Sequence, residues 1–315
     1  MHYDKDTRPN GVSNRTAETL AEAMPWIKNA TGKTVVIKYG GAAMVDAKLR
    51  ADVMADIVLL KIIGVNPVLV HGGGKAITEA MNREQLDVQF IDGQRVTDDA
   101  AMEVVRTVLT GKVNQELVAA LNLHGNLAVG VSGADAGTIV ASQADPRLGR
   151  VGKVERINAQ LLEDLVDSDF IPVLATVGVG EDGGFYNVNA DVVAGHVAAA
   201  IGAHKVVFLT DVDGLYEDFD DKDTLVSSMM LDEARALVEG GTLSTGMVPK
   251  MRSCVHALDA GVHRAHIING TTPHALLLEL LTDKGIGTMV TQPADVESFE
   301  AKPLGNFASK LAVNN

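Results

Sequence analysis

The sequence predicts an α/β fold in which a mostly parallel sheet is covered by helices on both faces. Apolar, β-branched runs of strand length alternate along the chain with stretches of helical periodicity, an order typical of parallel sheets. Glycine and polar residues gather just after several of these runs, where open α/β sheets bind their ligands. The two observations therefore predict both the fold class and the edge of the sheet that carries the site.

The first predicted element is an amphipathic helix over residues 14–30, in which Leu20, Met24 and Ile27 recur at helical spacing after a cap at Asn14 or Thr16. Apolar runs then predict successive buried strands, and periodic stretches predict the helices between them. The strand segments are TVVIKYGG, VNPVLVH, LAVGVSG, FIPVLATVGV, HKVVFLTDV and RAHIING, and the helical stretches include 46–63, 98–123, 158–168, 189–202 and 249–260.

Composition excludes several classes of function. The chain has 315 residues, of which 46% are hydrophobic and 22% charged, as expected of a globular protein with a substantial core. Its net charge of −14 predicts that neither nucleic acid nor an anionic membrane is a partner. Cys254 is the only cysteine, so no internal disulfide is expected, and no apolar run reaches the roughly 18–20 residues of a membrane span. These features together predict a cytoplasmic protein.

Three short motifs mimic known ligand sites without meeting their requirements. TGKT at 31–34 lacks the earlier glycine of a P-loop, and its lysine precedes a strand instead of following one. GVGEDG at 178–183 fits the dinucleotide-binding pattern but opens no helix, so a β-hairpin is predicted there. DVDG at 211–214 lacks the later ligands of a calcium loop. No resident metal site is predicted.

Five other features could carry chemistry, although each alone has an ordinary structural explanation. Glycines after strands most often make tight turns, and a lysine just inside a helix after a proline is often solvated. The features are Lys38 with Gly40 and Gly41; Gly72, Gly73 and Gly74 after His71; Arg95 in DGQRVTD; Asn187, Asn189 and Asp191 in NVNAD; and Lys250 in STGMVPK.

Lys38 is the most informative of these residues because it continues the apolar strand TVVI and is predicted to be partly buried. A buried ammonium group without an anionic partner costs several kcal/mol. A bound phosphate would supply that partner, and the alternative is a structural ion pair with Asp191 or another carboxylate. Taken together, two lysines, an aspartate and glycine amides match phosphoryl transfer, which depends on positioning and on cations, amides and Mg²⁺ around the transferring group.

The ordered motifs closely resemble the amino-acid kinase family and, within it, the acetylglutamate kinases. KYGG at 38–41, VHGGG at 70–74, DGQRVTD at 92–98, NVNAD at 187–191, LTDVDGLY at 209–216 and GMVPK at 246–250 occur in the family's order and spacing. The resemblance runs from about Ala17 to Thr291. It implies a three-layer α/β/α sandwich that phosphorylates the γ-carboxylate of N-acetyl-L-glutamate in arginine biosynthesis, using ATP with Mg²⁺ held mainly by the phosphates.

The resemblance also implies a division of the chain. An N-terminal extension and oligomerisation helix would occupy residues 1–30, and a tail would occupy 292–315. Between them, a lobe over 31–202 would bind N-acetylglutamate, and a lobe over 203–291 would bind ATP and arginine.

Residue roles follow from the same resemblance. Lys38 and Lys250 would stabilise the transferring phosphoryl group, Asp191 would orient both lysines, and Arg95 would clamp the α-carboxylate of the acceptor, which suits its planar fork. The remaining acceptor contacts would be Gly41, Gly72, Gly73, Gly74, Asn187 and Asn189. Besides the two lysines, the nucleotide contacts would be Thr210, Asp211, Gly214, Leu215, Tyr216, Thr245 and Gly246. The family usually has glycine at the position of Thr245.

The implied reaction needs no general base, because a carboxylate with a reference pKa near 4.3 is already an anion at neutral pH. His71 is therefore predicted to be a structural residue. What the reaction does need is relief of the repulsion between an anionic nucleophile and an anionic phosphate, which lysines, Mg²⁺ and amide donors provide.

Residues 263–288 resemble the signature of the arginine-inhibited members of the family. The resemblance implies an effector site for L-arginine at His266, Glu279, Gly285 and Gly287, beside a helix capped by Thr272. Arginine-sensitive members carry an extra N-terminal helix that links dimers into hexameric rings, and residues 14–30 fit that helix. A homohexamer built as a trimer of dimers is therefore expected.

Two alternatives remain open at the level of the sequence. The chain could be another kinase of the family, acting on carbamate, aspartate, glutamate or a nucleoside monophosphate, or a non-catalytic arginine-sensing module. Arg95 and NVNAD favour acetylglutamate over the other acceptors. Intact Lys38, Asp191 and Lys250 argue against a non-catalytic protein.

Overall fold

The computed structural model describes residues 12–44, 46–283 and 285–292. Of the predicted tail, only Gln292 falls within the described residues; its side-chain amide donates to the carbonyl of Leu258 at 2.7 Å. The first eleven residues of the predicted N-terminal extension also lie outside them.

The chain alternates helices and strands through most of its length, as the sequence predicts. The helices are α1 (Val12–Ala30), α2 (Ala47–Ile62), α3 (Gly74–Arg83), α4 (Asp99–Arg106), α5 (Asn114–Asn122), α6 (Gln160–Asp167), α7 (Ala190–Ala200), α8 (Leu231–Gly240), α9 (Val248–Asp259) and α10 (Ala275–Leu281). The strands are β1 (Thr34–Tyr39), β2 (Asn66–His71), β3 (Phe90–Ile91), β4 (Gln94–Arg95), β5 (Ala128–Ser132), β6 (Ile139–Gln143), β7 (Val151–Ile157), β8 (Ile171–Ala175), β9 (Val177–Val179), β10 (Phe185–Val188), β11 (Lys205–Thr210), β12 (Ser228–Met230), β13 (Arg264–Asn269) and β14 (Thr288–Thr291).

Eight strands form the central sheet in the order β12-β14-β13-β11-β1-β2-β8-β5. Pairing is parallel except between β13 and β14. One face of the sheet packs on α2, α3, α4, α5 and α10, and the other on α6, α7, α8 and α9. The mainly parallel sheet covered on both faces confirms the predicted fold class.

Register places the two glycine turns next to each other. In the ladder between β1 and β2, Lys38 lies opposite Val70 and Tyr39 lies opposite His71. The glycine turns that follow the two strands therefore leave the sheet at the same edge, as expected where parallel strands end together. On the other side of β1, Lys38 pairs with Phe208 of β11, so Thr210 also lies at this edge.

Two smaller β structures stand beside the sheet. β6, β7, β9 and β10 close into a small barrel, in which β9 and β10 are antiparallel. This pair confirms the hairpin predicted at GVGEDG. β3 and β4 form a second hairpin, whose turn residues Asp92 and Gly93 both have positive φ, 50° and 76°, as a two-residue type I′ turn requires.

Three predicted helices differ in detail from the structure. The predicted stretch 98–123 is helical from residue 99 to residue 122, but a seven-residue π-helix, Thr107–Val113, separates α4 from α5. α10 begins at Ala275 and is preceded by His274 in the left-handed region (φ 58°), so the predicted cap at Thr272 is wrong. α1 begins at Val12, ahead of the predicted caps at Asn14 and Thr16.

The predicted apolar face of α1 is divided between two environments. Ile27 packs against the core. Leu20 and Met24 instead lie on the surface, with exposed fractions of 63% and 60%. Across the described residues, no helix combines the length and apolar character needed to cross a membrane.

Candidate active site

Three charged side chains from three different elements meet at the edge of the sheet where β1 ends. Lys38 lies on β1, Asp191 in the first turn of α7, and Lys250 in the first turn of α9. The ammonium nitrogen of Lys38 is 3.0 Å from Asp191 Oδ1, and that of Lys250 is 3.1 Å from Asp191 Oδ2. We call these three residues the ion cluster. Lys250 Nζ also donates to the carbonyl of Gly246 at 3.0 Å.

Asp191 and Lys38 of the ion cluster are buried, and the electrostatics of the cluster keep the carboxylate charged. Asp191 is only 6% exposed and Lys38 only 9%. Burial pushes the pKa of Asp191 upward, but the two ammonium groups outweigh this effect and hold that pKa below its ordinary value. Two cations and one anion therefore leave one positive charge in excess at a site largely removed from water.

Glycine at position 40 gives the Lys38 side chain the space it occupies. A Cβ atom on Gly40 would lie 2.8 Å from the ammonium nitrogen of Lys38 and 3.2 Å from its Cε. Residues 38 and 40 project to the same side of an extended chain, which is why one side chain passes over the other position. Gly40 therefore does more than form a turn, because the absence of a side chain at this position leaves space for the side chain of Lys38.

A cavity of about 250 Å³ lies on one side of the ion cluster. Its lining includes nearly all of the predicted catalytic and acceptor-binding residues, together with several apolar ones. The predicted residues in the lining are Lys38, Gly41, Gly72, Gly73, Gly74, Arg95, Asn187, Asn189 and Asp191. The sequence did not single out Phe90, Leu109, Val151 and Thr176, which also line this cavity and carry no motif of their own.

Arg95 lies buried in the wall of this first cavity. Its guanidinium donates to the carbonyl of Gly74 at 2.9 Å and to the hydroxyl of Thr78 at 2.6 Å, and it stacks 4.8 Å from the ring centre of Phe90. Burial lowers the pKa of Arg95. In the described part of the chain no carboxylate pairs with it, so its partners are all neutral. A carboxylate ligand would supply the missing negative charge.

The two asparagines of NVNAD have different roles in the local structure. Asn189 is the N-cap of α7, and its Oδ1 accepts from the backbone N–H of Asp191 at 2.8 Å. This use of the oxygen leaves the amide N–H₂ of Asn189 as the group available to a ligand. Asn187 donates from its amide to the hydroxyl of Thr97 at 3.2 Å, a contact between segments 90 residues apart that spacing alone did not reveal.

A second, larger cavity of about 1150 Å³ lies on the other side of the ion cluster. Thr210, Asp211, Gly214, Leu215, Tyr216, Gly246 and Lys250, all predicted to contact nucleotide, line it. Thr245 does not appear in this lining although both of its neighbours, Ser244 and Gly246, do. The remaining lining is largely apolar and includes Val212, Phe219, Val226, Met229, Leu237, Leu243 and Met247.

Polar contacts fix the loop after β11 that borders this second cavity. The N–H of Leu215 donates to the hydroxyl of Thr288 at 2.8 Å, and the Tyr216 hydroxyl donates to Asp213. The amide of Asn269 also donates to Asp213, at 2.9 Å. Thr288 and Asn269 could not be selected from the sequence, because both come from strands more than 50 residues further along the chain.

The four residues predicted as an effector site also lie together. His266 Nδ1 is 2.6 Å from Glu279 Oε1, and Glu279 Oε2 accepts from the N–H groups of Ile286 and Gly287 at 2.7 and 3.2 Å. Gly285 has a φ of +59°, and a Cβ there would lie 2.9 Å from Glu279 Oε2. Nε2 of His266 is buried and has no hydrogen-bond partner among the residues that the structure describes.

Lys205 is a further buried cation of this region that the sequence did not single out. It is 9% exposed. Burial lowers its pKa to about 8, with a contribution in the same direction from Arg264, and Glu279 opposes this shift. Lys205 is the second residue of the predicted strand HKVVFLTDV, where a lysine is expected to be an ordinary solvated strand end.

No group of three or more histidine, cysteine, aspartate or glutamate side chains within residues 12–44, 46–283 and 285–292 is arranged to hold a metal ion. The ion cluster itself is dominated by cations, which would repel a bare metal. Any divalent metal at this site therefore has to arrive with anionic ligands of its own.

Comparison with known proteins gives a consistent result. Residues 33–269 match the amino acid kinase family. A curated acetylglutamate kinase from Caldanaerobacter subterraneus subsp. tengcongensis is 48% identical over 276 residues, covering 87% of this chain and 92% of the relative.

Solved structures share the fold. An N-acetylglutamate synthase from Neisseria gonorrhoeae, complexed with coenzyme A and N-acetyl-glutamate, superimposes with a TM-score of 0.77 at 27% identity and covers 88% of this chain. This chain spans 63% of that longer protein. The same synthase complexed with coenzyme A and L-arginine superimposes with a TM-score of 0.74 at 26% identity, over 90% of this chain and 70% of the synthase.

Proposed function

This chain belongs to the amino acid kinase family, and on that basis we propose that it transfers the γ-phosphoryl group of MgATP to the side-chain carboxylate of N-acetyl-L-glutamate. The products are N-acetyl-L-glutamyl 5-phosphate and ADP, in a step of arginine biosynthesis. Its curated relatives named acetylglutamate kinase align over nearly their whole length. The observation that carries the proposal is the ion cluster, which stands between a small cavity suited to the acceptor and a large one suited to the nucleotide.

The ion cluster performs the chemistry through charge. Lys38 reaches the junction from the acceptor side and Lys250 from the nucleotide side, so the transferring phosphoryl group is bracketed by two ammonium groups. Asp191 holds both lysines but cancels only one of their two charges. Because the acceptor carboxylate is already ionised, no residue has to remove a proton, and catalysis consists of positioning and charge stabilisation.

The acceptor cavity suits a ligand with two carboxylates. One carboxylate is required at the ion cluster, where the nucleophile must approach the phosphoryl group. A second is favoured at Arg95, a buried cation whose described partners are all neutral. N-acetyl-L-glutamate has both groups, and its acetyl oxygen can accept from the free amide of Asn189. Carbamate has only one carboxylate and would leave Arg95 without an anionic partner.

The nucleotide cavity suits MgATP as a substrate. Its volume of about 1150 Å³ and its many apolar side chains can hold a purine, while Thr210, Asp211 and Lys250 supply polar groups at the end nearest the ion cluster. When bound with the nucleotide, Mg²⁺ neutralises phosphate charge, and the phosphates themselves are its main ligands. In this proposal residues 31–202 form the acceptor lobe and residues 203–291 the nucleotide lobe.

An acceptor panel tests the proposed function. Purified protein is incubated with MgATP and, in separate reactions, N-acetyl-L-glutamate, L-glutamate, L-aspartate or carbamate, and ADP release is followed. We expect turnover with N-acetyl-L-glutamate to exceed that with L-glutamate by at least about 100-fold, because the free ammonium group of glutamate would enter a cavity already in excess of positive charge. Equal or greater turnover with another acceptor would contradict the proposal.

We also propose that L-arginine inhibits the enzyme at the predicted effector residues. Support comes from the proximity of His266, Glu279, Gly285 and Gly287, and from the related synthase, which was solved with L-arginine. Both oxygens of Glu279 already accept hydrogen bonds. Among the described residues Oε1 accepts only from His266, so its second lone pair remains for the guanidinium group of the effector.

Inhibition kinetics test the effector site. Arginine at millimolar concentration is expected to raise the apparent KM for N-acetyl-L-glutamate in the wild type. Glu279→Gln should abolish this effect while retaining activity without arginine, and deletion of residues 1–27 should weaken it. Kinetics unchanged by arginine in the wild type would exclude the effector proposal while leaving the kinase proposal intact.

The proposed assembly is a hexamer built from dimers joined through α1. Leu20 and Met24 support it, because they lie four residues apart on one face of α1 and are mostly exposed. The double substitution Leu20→Asp with Met24→Asp should reduce the mass measured by light scattering from a hexamer to a dimer. An unchanged mass would exclude α1 as the contact. The proposed location is the cytoplasm, consistent with a single buried thiol at Cys254.

A further inference from the structure

A hydrogen-bonded chain lies beneath the glycine turn that follows β2. The amide nitrogen of Asn114 is 2.7 Å from the carbonyl oxygen of Val173 and 3.0 Å from Nε2 of His71. Nδ1 of the same imidazole is 3.0 Å from the carbonyl oxygen of Gly72. His71 is fully buried and Asn114 is 2% exposed. The proposed function assigns no role to either side chain.

The partners in this chain fix the direction of every hydrogen bond. The carbonyl of Val173 can only accept, so the group of Asn114 that faces it must be the N–H₂ end. The second proton of that amide then points at Nε2 of His71, which must accept it. The single proton of a neutral imidazole is therefore on Nδ1, and it is donated to the carbonyl of Gly72.

This last hydrogen bond controls the orientation of a peptide plane. The carbonyl of Gly72 and the N–H of Gly73 belong to one planar trans peptide, so they point in opposite directions. Holding the carbonyl inward turns the N–H of Gly73 outward, toward the acceptor cavity that Gly73 lines. No described residue accepts from this N–H. Between two glycines the peptide plane has little side-chain restraint of its own.

We propose that His71, held in its Nδ1–H tautomer by Asn114, is a positioning residue that aims the N–H of Gly73 at the phosphoryl-transfer site. The inference rests on the proposed function, because it assigns that N–H to the transferring group or the attacking carboxylate. His71 exchanges no proton with substrate. It acts only through the peptide plane it holds.

The π-helix between α4 and α5 ends just before Asn114 and positions this residue beside the imidazole. A π segment inserts one extra residue into the helix and rotates the residues that follow. Two side chains of the π-helix, Leu109 and Val113, pack against Gly73. A Cβ atom at position 73 would lie 2.8 Å from Leu109 and 3.2 Å from Val113. Across from them, a Cβ on Gly130 would lie 2.1 Å from Asn114 Oδ1, so glycine at 130 makes room for the amide.

The surroundings of His71 keep the imidazole neutral. Burial lowers its pKa to about 4, and the hydrogen bond to Gly72 opposes this shift only in part. The flanking strand residues are Tyr39 on β1 and Ala175 on β8. Tyr39 is itself buried with a raised pKa, so neither it nor Ala175 carries charge. Asn114, facing the ring from α5, is neutral as well. The wild-type tautomer should therefore be constant from about pH 6 to 9.

The tautomer can be measured in the wild-type enzyme. In ¹⁵N NMR of imidazole-labelled protein, the signals of His71 are assigned by their loss in His71→Gln. Protonated Nδ1 and unprotonated Nε2, unchanged between pH 6 and 9, are the expected result. An Nε2–H tautomer or an imidazolium would overturn the proposal, independently of any activity assay.

Asn114→Asp tests the functional consequence with a near-isosteric change. The oxygen that replaces Nδ2 accepts from Nε2 and raises the pKa of His71 toward neutrality. The same oxygen is repelled by the Val173 carbonyl and costs stability, so kcat is measured only where far-UV circular dichroism matches the wild type. At low pH the imidazolium still donates from Nδ1 to Gly72. At high pH the neutral ring keeps its proton on Nε2, and the Nδ1 lone pair faces the Gly72 carbonyl. The kcat of the variant should therefore fall about 10- to 100-fold as pH rises through this pKa, by analogy with loss of an oxyanion-hole donor.

The control is Asn122→Asp on the same helix. Oδ1 of Asn122 already accepts from the N–H groups of Leu127 and Ala128, and a carboxylate can do the same. The kcat-pH profile of Asn122→Asp should match that of the wild type. The KM of each substrate should stay at the wild-type value in both Asn114→Asp and Asn122→Asp. A parallel profile for Asn114→Asp would overturn the proposal. If the wild type failed to phosphorylate N-acetyl-L-glutamate, the proposed function would fail while the NMR result still decided the tautomer.

Discussion

Asp191→Asn removes the only negative charge of the ion cluster while keeping the size of the side chain. In the wild type, Asp191 lies 3.0 Å from the ammonium of Lys38 and 3.1 Å from that of Lys250. An amide in its place cannot compensate two cations, and its N–H₂ group can face an ammonium group unfavourably. The variant therefore has two lysines with no protein anion between them. One of them, Lys38, is only 9% exposed.

The stability lost in Asp191→Asn follows from the burial of Asp191 and from its short distances to the two ammonium groups. Unit charges 3 Å apart attract by about 5–6 kcal/mol at an effective dielectric constant of 20, an attraction partly cancelled by desolvation. Removing one partner of a buried ion pair typically destabilises a protein by about 3–5 kcal/mol. For a chain of this size that corresponds to a fall in Tm of about 5–8 °C. We expect kcat to fall by at least about 100-fold, because neither lysine is then held in place.

Thermal unfolding without nucleotide measures the stability lost in the variant, and unfolding with nucleotide measures how much of it a bound phosphate restores. A non-hydrolysable ATP analogue with Mg²⁺ should stabilise Asp191→Asn more than the wild type, because phosphate replaces the lost anion. The control is Glu103→Gln, which removes a carboxylate 2.6 Å from Arg106 in a pair whose side chains are 64% and 39% exposed. This exposed position should change stability by less than about 1 kcal/mol and leave kcat unchanged.

The pH dependence of the destabilisation provides a further check. The folded-state pKa of Asp191 is lowered, so its contribution to stability is complete above the unfolded value of 3.8 and is lost as pH falls through the folded pKa. Wild type and Asp191→Asn should therefore differ most near neutral pH and converge below about pH 3.8. Equal stability of the two proteins at pH 7, or an equal response to nucleotide, would refute the reasoning.

Three further predictions concern the helices and charges around the site. Lys250→Ala should lower kcat by about 100- to 1000-fold while far-UV circular dichroism stays unchanged, and near-normal turnover would exclude its assigned role. Gly195→Ala should lower Tm despite the higher helix propensity of alanine, because its Cβ would lie 2.8 Å from the carbonyl oxygen of Ser253; a rise in Tm would contradict this packing. His274 lies 2.7 Å from buried Asp56, which raises its pKa, so its contribution is complete below pH 6.5 and is lost as pH rises through the folded pKa. His274→Asn, which tolerates the left-handed backbone, should therefore cost less than about 1 kcal/mol at pH 6 in chemical denaturation, because the His274 side chain is 55% exposed and solvent screens the ion pair. The cost should nearly vanish at high pH, and a pH-independent difference would count against the ion pair.

The sequence predicted the parts of the site that lie at strand ends. Apolar runs locate β1, β2 and β11, and parallel strands bring their ends to one edge, so Lys38, the glycine turns and Thr210 could be grouped without a structure. The sequence did not reveal which atoms of each polar side chain are free to bind a ligand. That the oxygen of Asn189 caps α7, leaving its amide for a ligand, depends on a local backbone geometry that the letters NVNAD do not contain.

Features set by helix geometry or by contacts distant in sequence could not be predicted. The stretch 98–123 has continuous helical periodicity, and nothing in it marks the π segment that positions Asn114. The cap predicted at Thr272 failed because His274 occupies the position before α10 with a positive φ, which is uncommon for any residue other than glycine, and pairs with Asp56, 218 residues away. Such pairings are energetically specific but leave no periodic signal in the sequence.

The charge balance of the ion cluster explains why one aspartate serves two lysines. A second carboxylate would neutralise the cluster and hold the ammonium groups more firmly, but it would repel the phosphate and the acceptor. With no carboxylate, two buried ammonium groups would repel each other and depart from the positions required for transfer. One aspartate holds both lysines and leaves one positive charge in excess, which in the proposed function the transferring phosphoryl group neutralises. In a chain of net charge −14, this local excess of positive charge would, in the proposed function, attract anionic substrates to the junction of the two cavities.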